Sequence, residues 1–243
     1  LGTCHHCDSS FQLHSYQRKG ASEKVYVRPE EAKINPPTSK IVEWFKTRGI
    51  SKQTLSDLKI TEGPEWMPQT GKTENVIKFN YFMGGELTNV KYRDGRKNFK
   101  LFKGAEKVFY NIDSIVGFEH CVIVEGEMDV LAFHEAGIKN VISVPNGATL
   151  NTNNLDYLDA CIDYFEDKTK IILAVDADEA GQALRSEFIR RLGAEVCYLV
   201  NFNGNKDAND YLVEHGKEKL REVINTASQV PLEGVSTLRD VEE

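Results

Sequence analysis

Two short acidic segments hold the most reactive chemistry in this sequence. Val124-Glu125-Gly126-Glu127-Met128-Asp129 and Val175-Asp176-Ala177-Asp178-Glu179-Ala180-Gly181 each place carboxylates directly after an apolar run. Asp176 and Asp178, two apart on extended backbone, share a face. Carboxylates converging from two loops repel one another unless protons or a cation compensate. Hard oxygen donors select Mg²⁺ or Mn²⁺, and Mg²⁺ usually couples a few carboxylates to substrate phosphates. Glu125, Asp176 and Asp178 are therefore read as a divalent-metal site. Acidic residues after strands also suit helix N-termini, where the helix dipole stabilises negative charge. That second reading stays open, above all for Glu127, Asp129 and Glu179. Gly126 and Gly181 allow tight turns or close backbone approach.

A second constellation is basic. Between Lys91 and Lys103 stand Lys91, Arg93, Arg96, Lys97, Lys100 and Lys103 against the single acid Asp94. Arginines there can make bidentate phosphate contacts, although a solvated hairpin rim would look the same. Further on, Lys206-Asp207-Ala208-Asn209 offers another cation. Asp207 is placed either to complete a metal shell or to cap a helix over 208–215. Cys4-His5-His6-Cys7 has the spacing of one zinc knuckle, so Cys4 and Cys7 form a partial zinc site whose second knuckle the sequence does not contain.

The elements needed to position these groups are legible from apolar periodicity. From residue 119, short strands (Cys121–Val124, Val141–Val144, Ile171–Val175, Val196–Val200) alternate with helices over about 128–137, 154–166, 179–192 and 214–226. This alternation predicts a largely parallel sheet with helices on both faces. Ligands of such sheets gather beyond the carboxyl ends of the strands, where both acidic segments fall. Residues 39–116 read as a smaller α+β unit. Ile41, Val42, Trp44 and Phe45 have helical spacing, Gly49 ends that helix, and Ser51 starts another. A β-rich stretch over 76–92 turns at Gly84-Gly85. Residues 11–38 and 229–243 have linker composition.

The chain has 243 residues, 40% hydrophobic and 28% charged, with a formal net charge of −7. No apolar run reaches the roughly 20 residues of a membrane span. Net acidity argues against a simple basic nucleic-acid module but leaves room for a segregated basic patch. Five scattered cysteines argue against a secreted disulfide framework.

With these motifs in hand, the sequence resembles the TOPRIM primases, in particular the primase part of phage bifunctional primase-helicases and Twinkle-type proteins. The two acidic segments look like the halves of the TOPRIM motif, which topoisomerases, recombination mediators and some nucleases share. Three other stretches look like primase segments: Thr47-Arg48-Gly49-Ile50-Ser51, Val90 to Phe99, and Lys206-Asp207-Ala208-Asn209-Asp210-Tyr211-Leu212. Pro145-Asn146-Gly147-Ala148 resembles the family's Gly-Ala loop, though it also reads as an ordinary turn. The match runs over about 41–226, in family order.

The resemblance implies a TOPRIM domain over 117–228 preceded by the α+β subdomain at 39–116. It implies metal-dependent synthesis of short RNA primers on single-stranded DNA from ribonucleoside triphosphates. Glu125, Asp176 and Asp178 would be catalytic and hold Mg²⁺ or Mn²⁺ with Asp207. Lys91 and Lys97 match catalytic lysines, and Arg93, Arg96 and Lys206 would join them in binding nucleotides and nucleic acid. Residues 1–10 would be the remnant of a zinc ribbon, with Zn²⁺ in the parent protein rather than in this fragment. Residues 229–243 would lead toward a missing helicase domain, in the same chain or replaced by a separate replicative helicase. A monomeric fragment working in a bacterial or phage-infected cytoplasm, or less readily an organelle matrix, completes the expectation. The alternatives are a TOPRIM nuclease and a catalytically silent nucleic-acid-binding replication module.

Overall fold

The change of apolar pattern near residue 119 corresponds to a change of sheet in the computed structural model, which describes residues 2–3, 10–11, 25–30, 35–148 and 155–231. Cys4 and Cys7 lie outside the described residues. Around them, β1 (Gly2–Thr3) and β2 (Ser10–Phe11) pair antiparallel.

The first large unit opens with α1 (Ser39–Thr47) and α2 (Lys52–Asp57), separated by Gly49 at φ 74°. Ser51 caps α2 by accepting from the Thr54 N–H, as its type and position predict. Four antiparallel strands follow in sequential order: β3 (Thr61–Met67), β4 (Lys72–Met83), β5 (Glu86–Arg93) and β6 (Phe99–Leu101). Pro64 is tolerated because β3 is an edge strand. The predicted turn at Gly84-Gly85 joins β4 to β5, with both glycines at positive φ. The Asp113 carboxylate accepts from both of their N–H groups and ties the hairpin to the 3-10 turn at Ile112–Ile115. Alternation along β4 sends Phe79 and Tyr81 inward.

The second unit runs β7 (His120–Val124), α3 (Glu127–Glu135), β8 (Val141–Ser143), α4 (Asp156–Ala160), β9 (Lys170–Ala174), α5 (Glu179–Leu192), β10 (Cys197–Leu199), α6 (Ala208–Asn225) and β11 (Ser228–Gln229). The sheet order is β11-β10-β9-β7-β8, parallel except for β11, which closes the β10 edge antiparallel. Right-handed crossovers that first step from β7 to β8 and then return past β7 to β9 must use opposite faces. α3 packs with α6 on one face. Tyr157 of α4, Phe165 and Phe188 of α5 surround Phe109 on the other.

Two helices differ from expectation. The stretch read as one helix over 154–166 is α4 followed by a separate 3-10 turn at Ile162–Phe165. The helices read at 208–215 and 214–226 are one run broken at Gly216, which has φ 82°. A single apolar core joins both units, from Phe45 and Leu55 through Phe79 and Tyr110 to the β7 and β9 side chains. Among the described residues, no helix is long and apolar enough to cross a membrane.

Candidate active site

Strand order decides where the acidic loops meet. The chain leaves β7 toward β8 and leaves β9 toward β10, so a crevice opens between the carboxyl ends of β7 and β9. Glu125 follows β7 there, and Asp176 and Asp178 follow β9. One Glu125 oxygen accepts from the Ala148 N–H at 2.9 Å and the other from the Asp176 N–H at 3.2 Å. The Pro145-Asn146-Gly147-Ala148 turn therefore touches the acidic site directly. Gly181 is needed for this approach: a Cβ on it would stand 2.2 Å from the Asp176 carbonyl oxygen and 3.1 Å from a Glu125 oxygen.

The electrostatics are those of crowded negative charge. Burial and the Glu125 charge push the Asp176 carboxyl up to about 6, even though Lys206 opposes them. Burial likewise raises Glu125, partly offset by its two backbone N–H donors. Asp129 lies well above the usual carboxylate range, first from burial and then from the charges of Asp207 and Asp176. One Asp129 oxygen accepts from the Asn209 N–H at 3.1 Å. Lys206 answers the cluster, with its ammonium 3.2 Å from Asp176 and its pKa raised by that contact.

The helix-capping reading proves true of two predicted ligands. Asp178 caps α5 through the Gly181 N–H, and Asp207 caps α6 through the Asp210 N–H. Each caps with one oxygen, which leaves the other carboxylate oxygen out of that bond. Among the described residues, no group of three or more His, Cys, Asp or Glu side chains is assembled around a metal position. The donor set is nonetheless all oxygen and carries more negative charge than Lys206 offsets, which fits a hard divalent cation. Each Glu125 oxygen accepts a single backbone N–H, which leaves it a second lone pair.

The basic residues divide into groups. Lys91 is nearly buried and donates to Glu127 Oε1 at 2.9 Å, with both side chains shielded from water. Arg93, on the same face of β5, stacks on Trp44 with its guanidinium carbon 4.4 Å from the ring centre. Burial and the nearby Arg48 charge lower its pKa. Arg96 and Lys97 stand exposed on the β5–β6 turn, where Lys97 has φ 68°. The lone acid of that stretch, Asp94, organises the turn by accepting from the Arg96 and Asn98 N–H groups and from the Asn98 side chain. Thus Lys91 and Lys206 are drawn to acidic partners, whereas Arg93, Arg96 and Lys97 make no ion pair with the predicted ligands.

Sequence reasoning undervalued Asp129 and missed Asn209. The Asn209 side chain donates to the Arg48 carbonyl at 2.9 Å while its N–H holds Asp129. It thereby joins the Thr47-Arg48-Gly49 turn to the acidic crevice. Asp129 stands in the first turn of α3, where a carboxylate also suits the helix dipole, and no spacing rule links Asn209 to it.

Residues 122–212 match the Toprim-like family. The chain is 36% identical over 220 residues to a primase homolog protein of Arabidopsis thaliana, covering 84% of this chain and 64% of that one. The chain is a Toprim-domain homologue of primases. This Toprim chain is also 33% identical to the Arabidopsis Twinkle homolog protein, chloroplastic/mitochondrial, over 87% of its own length and 31% of the relative's. It thus spans less than two thirds of either curated relative. Among solved structures it superposes, with a TM-score of 0.64 and 25% identity, on a chain from a bacteriophage T7 complex. That complex holds the lagging-strand DNA polymerase and the primase domains of two gp4 subunits, bound to an RNA/DNA hybrid and dTTP. The overlap covers 76% of this chain and 91% of that one.

Proposed function

We propose that this chain is the catalytic core of a DNA primase, joining ribonucleotides into short RNA primers on a single-stranded DNA template. The observation that carries the reading is the acidic crevice at the β7/β9 switch point, approached by Lys206 from the α6 loop and adjoined through Glu127 by Lys91 from the antiparallel sheet. Glu125, Asp176 and Asp178, with Asp207 beside them, would hold Mg²⁺ or Mn²⁺. When bound, such a cation neutralises triphosphate charge and lowers the pKa of an attacking hydroxyl.

The remaining work falls to the chain's own groups. Lys91 and Lys97 place positive charge where a triphosphate loses pyrophosphate, and fixed cations there stabilise the charge that develops. Arg93 and Arg96 offer forked donors to phosphates of the nucleotide or the template. Lys206 covers Asp176 until substrate arrives. Template DNA lies between the two sheets and is held chiefly through its backbone. The family resemblance makes a helicase the natural partner. The organelle-targeted plant relative makes an organelle matrix as suitable a setting as a bacterial or phage-infected cytoplasm.

The test is RNA synthesis on single-stranded DNA by the intact parent protein with all four ribonucleoside triphosphates and Mg²⁺ or Mn²⁺. Asp176→Ala and Asp178→Ala should each lower synthesis by roughly 100-fold or more, since a lost charge-stabilising contact is worth several kcal/mol at about 1.4 per tenfold. Full activity in both variants would refute the assignment. Metal-dependent cutting of plasmid DNA, without primer synthesis, would identify a nuclease instead.

A further inference from the structure

One buried contact joins the two sheets beside the crevice without belonging to the acidic trio. Glu127 is the first residue of α3, and its side chain is 4% exposed. Its Oε1 accepts from the Lys91 ammonium at 2.9 Å and from the Tyr81 hydroxyl at 2.5 Å. Tyr81 lies on β4 and Lys91 on β5, so both donors come from the antiparallel sheet and the acceptor from the Toprim-like unit. Among the described residues, Glu127 is the sole side-chain hydrogen-bond partner of the Lys91 ammonium, which also lies 5.4 Å from the centre of the Phe99 ring. A buried ammonium without a counter-charge is strongly disfavoured, so Glu127 fixes where the Lys91 cation rests. An ammonium has three donors, and this contact uses one.

From this geometry we infer that Glu127 is a positioning residue: it pins the Lys91 ammonium at the mouth of the acidic crevice so that its remaining donors meet the triphosphate of an incoming nucleotide. The inference rests on the primase reading for its substrate, but its content is the dependence of Lys91 on Glu127. Tyr81 acts in the same sense by holding the shared oxygen from the neighbouring strand. The ordinary alternative is that Glu127 only completes a buried ion pair and serves the fold.

The two differ in the nucleotide affinity of a folded Glu127 variant that keeps Lys91, and the double variant checks that any loss runs through Lys91. Affinity for a fluorescent, non-hydrolysable ATP analogue with Mn²⁺ would be measured in the intact protein, alongside thermal midpoints, for Glu127→Gln, Lys91→Met and the double variant. Positioning predicts that Glu127→Gln weakens nucleotide binding on the order of tenfold or more, as expected for a displaced binding group. It also predicts that the double variant binds no more weakly than Lys91→Met alone. If Glu127→Gln fails to fold, Glu127→Asp takes its place, since it keeps the counter-charge of Lys91 but draws it back by one methylene: weakened binding in that folded variant supports positioning, and unchanged affinity overturns it. A further tenfold loss in the double variant, or unchanged affinity in a folded Glu127→Gln protein, would overturn the inference. Binding is scored apart from synthesis, so absent primer synthesis with intact coupling would count against the primase reading and not against Glu127.

Discussion

At the scale of single residues, the acidic crevice is a strained arrangement of charge, and its stress is measurable without substrate. Asp176 titrates near 6 in the fold and close to 3.9 when unfolded, so the fold favours its protonated form. Stability from this group is complete below about pH 4 and is lost as pH rises to about 6. The melting temperature of the metal-free Asp176→Asn protein should therefore fall less between pH 4 and 6 than that of the wild type. Equal pH slopes would contradict the assigned burial. Gly181 supplies a second test. A methyl group forced against the Asp176 carbonyl is an overpacking change costing about 1–3 kcal/mol, so Gly181→Ala should lower the urea midpoint and weaken Mn²⁺ binding. Glu125, Asp176 and Asp178 were legible because apolar strands run straight into them. Asp129 was not, because a carboxylate in a first helical turn looks like a dipole partner until the fold brings Asp207 and Asp176 beside it.

At the scale of elements, capping explains both what was readable and what was not. Ser51 was identifiable as the start of α2 from its type and position, but its second partner was not. Glu135, at the end of α3, accepts from the Ser51 N–H, the Ser51 hydroxyl and the Thr54 hydroxyl, which pins α2 to the Toprim-like unit. Hydrogen bonds to a charged acceptor contribute about 1.5–3 kcal/mol. Glu135→Ala should thus destabilise the protein by about that amount, read from the denaturation midpoint, with nucleotide affinity unchanged. The single helix expected over 154–166 failed because apolar spacing continues through Cys161 and Phe165 although the backbone tightens into a 3-10 turn. Nothing in periodicity marks that change. The break at Gly216 has a visible cause, since φ 82° with ψ 170° is a conformation that glycine adopts far more readily than residues with a Cβ.

At the scale of the whole molecule, the two units share one apolar core and are joined by polar seams, among them Glu127 with Lys91 and Tyr81, Glu135 with Ser51 and Thr54, and Asn209 with Arg48. The parallel sheet and the hairpin followed from strand patterning, because each strand's burial is written in its own residues. The seams were invisible because each joins residues far apart in sequence, and the sheet order that brings them together is a property of the assembled topology. Two of these seams reach toward the crevice: Asn209 ties the Arg48 turn to Asp129, and Glu127, two residues after Glu125, holds Lys91 of the antiparallel sheet. The most direct measurement is a crystal of the intact protein soaked with Mn²⁺ and a non-hydrolysable ribonucleoside triphosphate. Anomalous density for manganese is expected among Glu125, Asp176 and Asp178, with the triphosphate reaching toward Lys91 and the turn bearing Lys97. Manganese bound elsewhere, or a nucleotide seated away from that crevice, would contradict the assignment.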